Sequence, residues 1–303
     1  MMHRLWLGAA LAALAPTIAP AQTAPPPASA DAPLTVQLIR AGPGSLYASI
    51  GLIKGSHDAV LVDAPFTMAD AHRVVAEVLE SGLALTTVFV THDHPDHFFA
   101  MEVIRDAFPT VKIVAHPTVV DDIWASLPLK VKRWSPMLGP NGPRAPTAPT
   151  PLDGDTILLE GRALRVIGPM TGDHAHATAL WVPSIRALFA GDLLFNQVHL
   201  WLGESDAAAV TAWARSVETL AALDPLIVVA GHAKDGTAND RSSIAFTRDY
   251  LAAWPKLVAA SKDSADLRRR VKARFPQTID VLGDFILGNS SRVAMGEAPI
   301  WRE

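Results

Sequence analysis

Directly behind the apolar stretch Thr87-Val88-Phe89-Val90 the chain reads His92-Asp93-His94-Pro95-Asp96-His97, three histidines and two aspartates in six residues. A short β-branched and aromatic run of this kind is a buried strand. Side chains at a strand's C-terminal end project from a rigid edge, so imidazoles there can be held at the distance of about 2 Å that a metal bond requires. In a tight turn His92 and His94 point to one side while Asp96 and His97 reach a second position, which gives ligands for two neighbouring metals. Helix capping by Asp93 or Asp96 accounts for one carboxylate but not for the imidazoles. A fold for this chain must bring further ligands to the edge of that strand.

The rest of the sequence alternates as such an edge requires. Thr35-Val36-Gln37-Leu38-Ile39 and Ala59-Val60-Leu61-Val62 are β-branched runs separated by glycines, which predicts antiparallel strands ending on Asp63. Residues 69–79 carry apolar side chains at helical spacing, stopped by Ser81-Gly82. A strand over 111–115 and a helix over 118–125 repeat the pattern. Residues 127–151, rich in proline with several glycines, are expected to form a long loop insertion of the kind that often acts as a lid. A hairpin follows around Glu160-Gly161, then strands over 179–182 and 187–190. A helix over 206–223 leads to a buried strand over 226–230, which ends at Gly231-His232. From about residue 242 a helical C-terminal extension is expected, so one domain spans 34–303.

Composition narrows the chemistry. Apolar residues make up 50% of the chain, enough for a sizeable core. A formal net charge of -4, with both signs scattered, offers no footprint for nucleic acid or an anionic membrane. Cysteine is absent, so metal can be bound only through nitrogen and oxygen, and the eleven histidines become the candidates. Residues 1–21 are expected to be an export signal: His3 and Arg4, an apolar run from Leu5 to Ala15, then Ala19-Pro20-Ala21 before Gln22. That run is shorter than the roughly 20 residues of a membrane-spanning helix, so no stable anchor is expected. Residues 22–33 are Ala/Pro-rich and expected to be a disordered leader, and the mature protein to be periplasmic or secreted.

The motif His92-Asp93-His94-Pro95-Asp96-His97 and the order of elements from about Leu34 to Lys234 resemble the metallo-β-lactamase superfamily. The resemblance implies an α/β fold, a four-layer αββα sandwich with a metal site at one edge between two sheets. It implies that His92 and His94 hold a first metal, that Asp96 and His97 hold a second, that Asp192 of Ala190-Gly191-Asp192 bridges them, and that His232 completes the second site. Two zinc ions are the expected cofactors, with iron or manganese as alternatives. The third ligand of the first site is open. The segment reads Thr171-Gly172-Asp173-His174-Ala175-His176, where alignment on the glycine points to Asp173 and coordination chemistry prefers His174 or His176, with His174 first.

His199, shortly after Asp192, is a candidate substrate contact. His57 and His72 read as surface residues, His116 as a loop or supporting residue, and Lys234 as exposed or as a holder of a substrate carboxylate. Trp124, Trp134, Met137 and Trp201 fall in segments expected at the cleft rim and suit an apolar small-molecule substrate. The resemblance implies an exported hydrolase that cleaves an ester, lactone or amide with a metal-activated hydroxide, Asp96 orienting it and shuttling its proton. Alternatives are a β-lactamase, an iron-dependent oxidoreductase of the same fold, and a non-catalytic metal-binding protein.

Overall fold

The structure, a computed structural model, describes residues 32–302. The expected export signal and residues 22–31 of the leader lie outside the described residues. Strands β1 (Thr35–Arg40), β2 (Ser49–Lys54) and β3 (Asp58–Val62) form the antiparallel start that their glycine-broken runs predict. Three parallel strands follow on β3, namely β4 (Ala84–Val90), β5 (Lys112–Ala115) and the short β6 (Thr150–Pro151), giving a six-stranded sheet in sequential order. Parallel neighbours need crossovers, and these are α1 (Met68–Ser81), α2 (Met101–Ala107) and α3 (Pro117–Leu138). α1 starts where the Thr67 side chain accepts from the Asp70 amide and stops at Gly82, whose φ of 69° few other residues tolerate.

The second half supplies β7 (Thr156–Leu159), β8 (Arg162–Met170), β9 (Ala177–Val182), β10 (Ala187–Phe189), β11 (Phe195–Asn196), α4 (Ala207–Ala221), β12 (Ile227–Val229) and β13 (His232–Ala233). Helices α5 (Ser242–Ala259), α6 (Ser264–Arg274) and α7 (Phe285–Ala294) complete it. Five of these strands form a sheet in the order β12-β10-β9-β8-β7, and β11 pairs with β13 beside it.

The period of two along each strand sorts side chains between two apolar layers. Ile53, Val60, Val62 and Phe89 of the first sheet meet Leu164, Val166, Leu180 and Phe189 of the second. Their neighbours Leu52, Leu61, Val88 and Val90 join the larger core shared with the helices. The result is the αββα sandwich, with helices outside two facing sheets. Gly51 faces the inner layer, and a Cβ there would lie 2.2 Å from the Phe189 ring, so the glycine makes room for the ring between the sheets.

The long loop expected over 127–151 is corrected by the structure. α3 runs unbroken for 22 residues to Leu138 with Pro128 and Pro136 inside it, and the loop is confined to the stretch between α3 and β6. Each proline removes a helical hydrogen bond, yet Val120, Ile123, Leu127, Lys130 and Trp134 recur at helical spacing and are all buried. Burial of that stripe outweighs the lost bonds.

Candidate metal centre

β3 and β4 run parallel, as do β10 and β12, and the segments that leave their C-terminal ends converge on one edge of the sandwich. Asp63 follows β3, Thr91 to His97 follow β4, Gly191 and Asp192 lie beyond β10, and Gly231 and His232 beyond β12. Gly231 is required by proximity: a Cβ there would fall 1.9 Å from Asp192 Oδ1.

Two groups of donors result. His92, His94, Asp173 and Asp192 form one and Asp96, His97 and His232 the other, each with its ligand atoms within 4.8 Å of one another and every residue buried. Asp192 lies between them, its Oδ2 3.8 Å from His92 Nε2 and 3.2 Å from His232 Nε2, its Oδ1 3.1 Å from His97 Nε2. Asp96 Oδ2 lies 3.2 Å from His232 Nε2.

Each imidazole is oriented through the nitrogen that faces away from the centre. His97 Nδ1 meets Asp63 Oδ2 at 2.8 Å, His94 Nε2 meets Glu204 Oε1 at 3.0 Å, and His232 Nδ1 donates to the Leu46 carbonyl at 2.8 Å. His92 Nδ1 lies 3.0 Å from Thr91 Oγ1, whose hydroxyl donates to Asp63 Oδ2 at 2.9 Å. These acceptors place the proton on the outer nitrogen of all four rings and leave the inner lone pairs for a cation. Asp63 holds φ 66° and Leu46 φ 56°, left-handed values that non-glycine residues seldom adopt and that concentrate where a site needs them.

The electrostatics call for positive charge. Burial disfavours protonation of His97 and His232, but neighbouring carboxylates, Asp192 foremost, outweigh it and hold His97 well above its usual range and His232 at about 10. Burial, aided by the Asp192 carboxylate, pushes Asp173 well above the ordinary range. His92 Nε2, Asp173 Oδ1 and Asp192 Oδ1 are buried with no hydrogen-bond partner. Unpaired buried acceptors and crowded carboxylates are costly unless a cation lies among them, so the residues present fit divalent metal.

The structure places the three candidates for the remaining ligand differently. Asp173 Oδ2 stands 3.0 Å from His94 Nδ1, within the first donor group. His174, the candidate preferred from sequence, is outside that group and turns its Nε2 to Asp93 Oδ1 at 3.3 Å. His176 is further out, pairing with Asp122 of α3 at 2.8 Å. The turn at Gly172, whose amide donates to the His174 carbonyl, sends Asp173 inward and the histidines outward. Asp93 also has a partner that spacing did not reveal. Lys130 of α3, almost fully buried, places Nζ 2.7 Å from Asp93 Oδ2 and holds that carboxyl well below the ordinary range against the effect of burial.

Above the centre opens a cleft lined by Phe66, Trp134, Phe195, Trp201 and Phe285 among others, with Asp96, Asp173, Asp192 and Glu204 on its polar side. His199 is in this wall, buried, with Nδ1 3.0 Å from the Tyr250 hydroxyl. Trp134 and Trp201 face the cleft as expected, whereas Trp124 and Met137 are exposed and take no part. Lys234 is outside the cleft lining and donates to the Gln277 carbonyl. His116 caps α3 by accepting from the Thr118 amide. Glu204 and Asp63 carried no motif; only the three-dimensional partner of each histidine identifies them.

A sandwich of two sheets between helices, with histidines and aspartates gathered at the strand ends, defines a class of metal-site α/β proteins. The chain belongs to the metallo-β-lactamase superfamily, whose sequence profile matches residues 43–232. It is 31% identical over 244 residues to a hydroxyacylglutathione hydrolase of Cupriavidus taiwanensis, covering 76% of this chain and 77% of that protein. A second hydroxyacylglutathione hydrolase, from Chromohalobacter salexigens, is 29% identical over 186 residues, 60% of each chain. In fold the chain is similar to a metallo-beta-lactamase family protein from Thermus thermophilus, with TM-score 0.60, 20% identity and coverage of 87% of this chain and 94% of that one. The DIM-1 metallo-beta-lactamase aligns with TM-score 0.53 at 20% identity over 73% of this chain and 93% of its own.

Proposed function

We propose that this protein is an exported, metal-dependent hydrolase that cleaves an ester, thioester, lactone or amide bond of a small molecule, with two zinc ions as cofactor. The observation that carries this is the pair of donor groups that share Asp192 at the floor of an aromatic cleft. His92, His94 and Asp173 would hold one ion, Asp96, His97 and His232 the other, and Asp192 would serve both. Bound there, the ions would supply Lewis-acid activation of the attacking water and of the carbonyl.

The protein's own groups do the rest. Asp63, Thr91, Glu204 and the Leu46 carbonyl keep the imidazoles oriented. The Asp96 carboxylate, on the cleft floor beside His232, orients the nucleophile and carries its proton to the leaving group. The aromatic walls exclude water and hold an apolar substituent, and His199 is a fixed part of one wall. The names of the curated relatives support hydrolysis of an acyl bond. Export rests on the composition of residues 1–21, and cell fractionation tests it.

The deciding measurement is elemental analysis of protein purified without added metal, combined with a panel of esters, thioesters, lactones and β-lactams. Two zinc ions per chain and turnover that chelation abolishes are expected. A second reading, iron-dependent redox chemistry, draws support from Asp173, which gives the first group two imidazoles and a carboxylate of its own. Iron without zinc, and no hydrolysis, would establish that reading instead.

A further inference from the structure

The wall of the cleft over the metal centre includes residues from the C-terminal segment, Phe285 of α7 and Trp301. Beyond α7 the chain turns back, and the Trp301 amide donates to the Gly203 carbonyl at 2.8 Å. The Trp301 ring stands edge-on to Trp201 and to Phe285, with centroids 5.5 Å away in both cases, while Trp201 and Phe285 stack flat on each other at 5.7 Å. The Arg133 guanidinium lies 3.9 Å from the centre of the Trp301 ring. Trp301 is thereby fixed in the cleft wall, and the free space in the cleft is about 60 Å³.

The cleft is rich in carboxylates. Among the described residues no lysine or arginine lines the cleft, whereas Asp96, Asp173, Asp192 and Glu204 all do. An anion entering the cleft meets these carboxylates and no lysine or arginine side chain. Lys130 and Lys234 are committed elsewhere, the first to Asp93 and the second to the Gln277 carbonyl.

We propose, on the basis of the hydrolase reading above, that the substrate is an uncharged acyl compound, an ester or lactone with a compact aromatic or alkyl group held against Trp201 and Trp301, and that compounds bearing a carboxylate near the scissile bond are rejected. Penicillin-type β-lactams, with a carboxylate on the carbon next to the lactam nitrogen, fall in the rejected class. A buried carboxylate without a cationic partner is heavily penalised, whereas a ring against Trp201 and Trp301 gains apolar burial and edge-to-face contact. Turnover reinforces the selection. The oxygen of water bonds to the acyl carbon, the acyl–oxygen bond breaks, the departing alcohol takes up a proton, and the resulting acid ionises to a carboxylate. A neutral substrate thus becomes an anion in a cleft that does not favour anions, which speeds its release.

Phenylacetamide and phenylacetate have nearly the same shape and differ in charge, so calorimetric titration of each into the metal-loaded full-length protein isolates that difference. The amide is expected to bind about tenfold or more tightly than the acid. Equal or tighter binding of phenylacetate would overturn the proposal. Trp301→Ala should raise KM for neutral aryl esters and weaken phenylacetamide, the loss falling on KM rather than kcat, while Trp301→Phe restores most of it. Unchanged KM and phenylacetamide binding in a folded Trp301→Ala protein would remove Trp301 from the assignment. Selective phenylacetamide binding with no hydrolysis of any acyl compound would uphold the pocket and refute the hydrolase reading.

Discussion

Asp173 sets the character of the first donor group. With it, each group has two imidazoles and one carboxylate of its own, and Asp192 is common to both: His92, His94 and Asp173 on one side, His97, His232 and Asp96 on the other. A carboxylate oxygen is a harder donor than imidazole and places more negative charge on the ion it holds. Asp173→Asn should therefore lower the bound metal from two equivalents to about one, measured by elemental analysis after dialysis. Asp173→His should retain two and shift competitive loading from manganese toward zinc by about tenfold, an order of magnitude for exchanging one hard ligand for a softer one. Unaltered stoichiometry and selectivity in both variants would show that Asp173 is not a ligand. The sequence displayed this residue beside two histidines, and imidazole chemistry favoured His174, which the structure turns away from the donor group. The deciding fact, the turn at Gly172, depends on packing against the Asp192 carbonyl and the Leu193 side chain, which lie far along the chain.

Among the elements, α3 departs most from what its sequence implies. Proline-rich composition pointed to a loop, and the stripe from Val120 to Trp134 that overrides it includes a lysine, so an apolar pattern alone did not expose it. The strands around the site were legible because burial on both faces demands unbroken β-branched runs. Lys130 explains the polar member of the stripe: its ammonium donates to Asp93 Oδ2, to the Asp93 carbonyl and, at 2.9 Å, to Ser126 Oγ, anchoring the helix beneath the turn that carries His92 and His94. Removing one partner of such a pair leaves a buried charge uncompensated. Lys130→Met should lower unfolding free energy by about 3 kcal/mol in denaturant titrations. Combining it with Asp93→Asn should recover a large part of that loss, because the stranded carboxylate is gone. A Lys130→Met protein as stable as the parent would mean that the pair does not hold the turn.

For the molecule as a whole, the centre is the seam between two halves. The segment after β4 contributes His92, His94, Asp96 and His97, and the half that begins with β7 contributes Asp173, Asp192 and His232. Elsewhere the halves meet through the apolar layer between the sheets, which requires no cation. At the site they meet through carboxylates, which repel unless positive charge lies between them. Metal therefore acts as a cross-link at one edge of a sandwich that hydrophobic burial already holds together, and it stabilises only the folded chain that assembles both sets of ligands. An ion present at a thousand times its dissociation constant adds about 4 kcal/mol, so chelation should lower the melting temperature by on the order of 10 °C in a domain of this size. Hydrogen exchange distinguishes this from general loosening. After chelation, amides around 91–97, 171–176 and 190–193 should exchange faster, while those of Val60, Val166 and Leu180 in the inner layer stay protected. Uniform acceleration across both sheets would show instead that the ions are needed to form the sandwich, and no acceleration at the seam would show that the two halves are joined there without them.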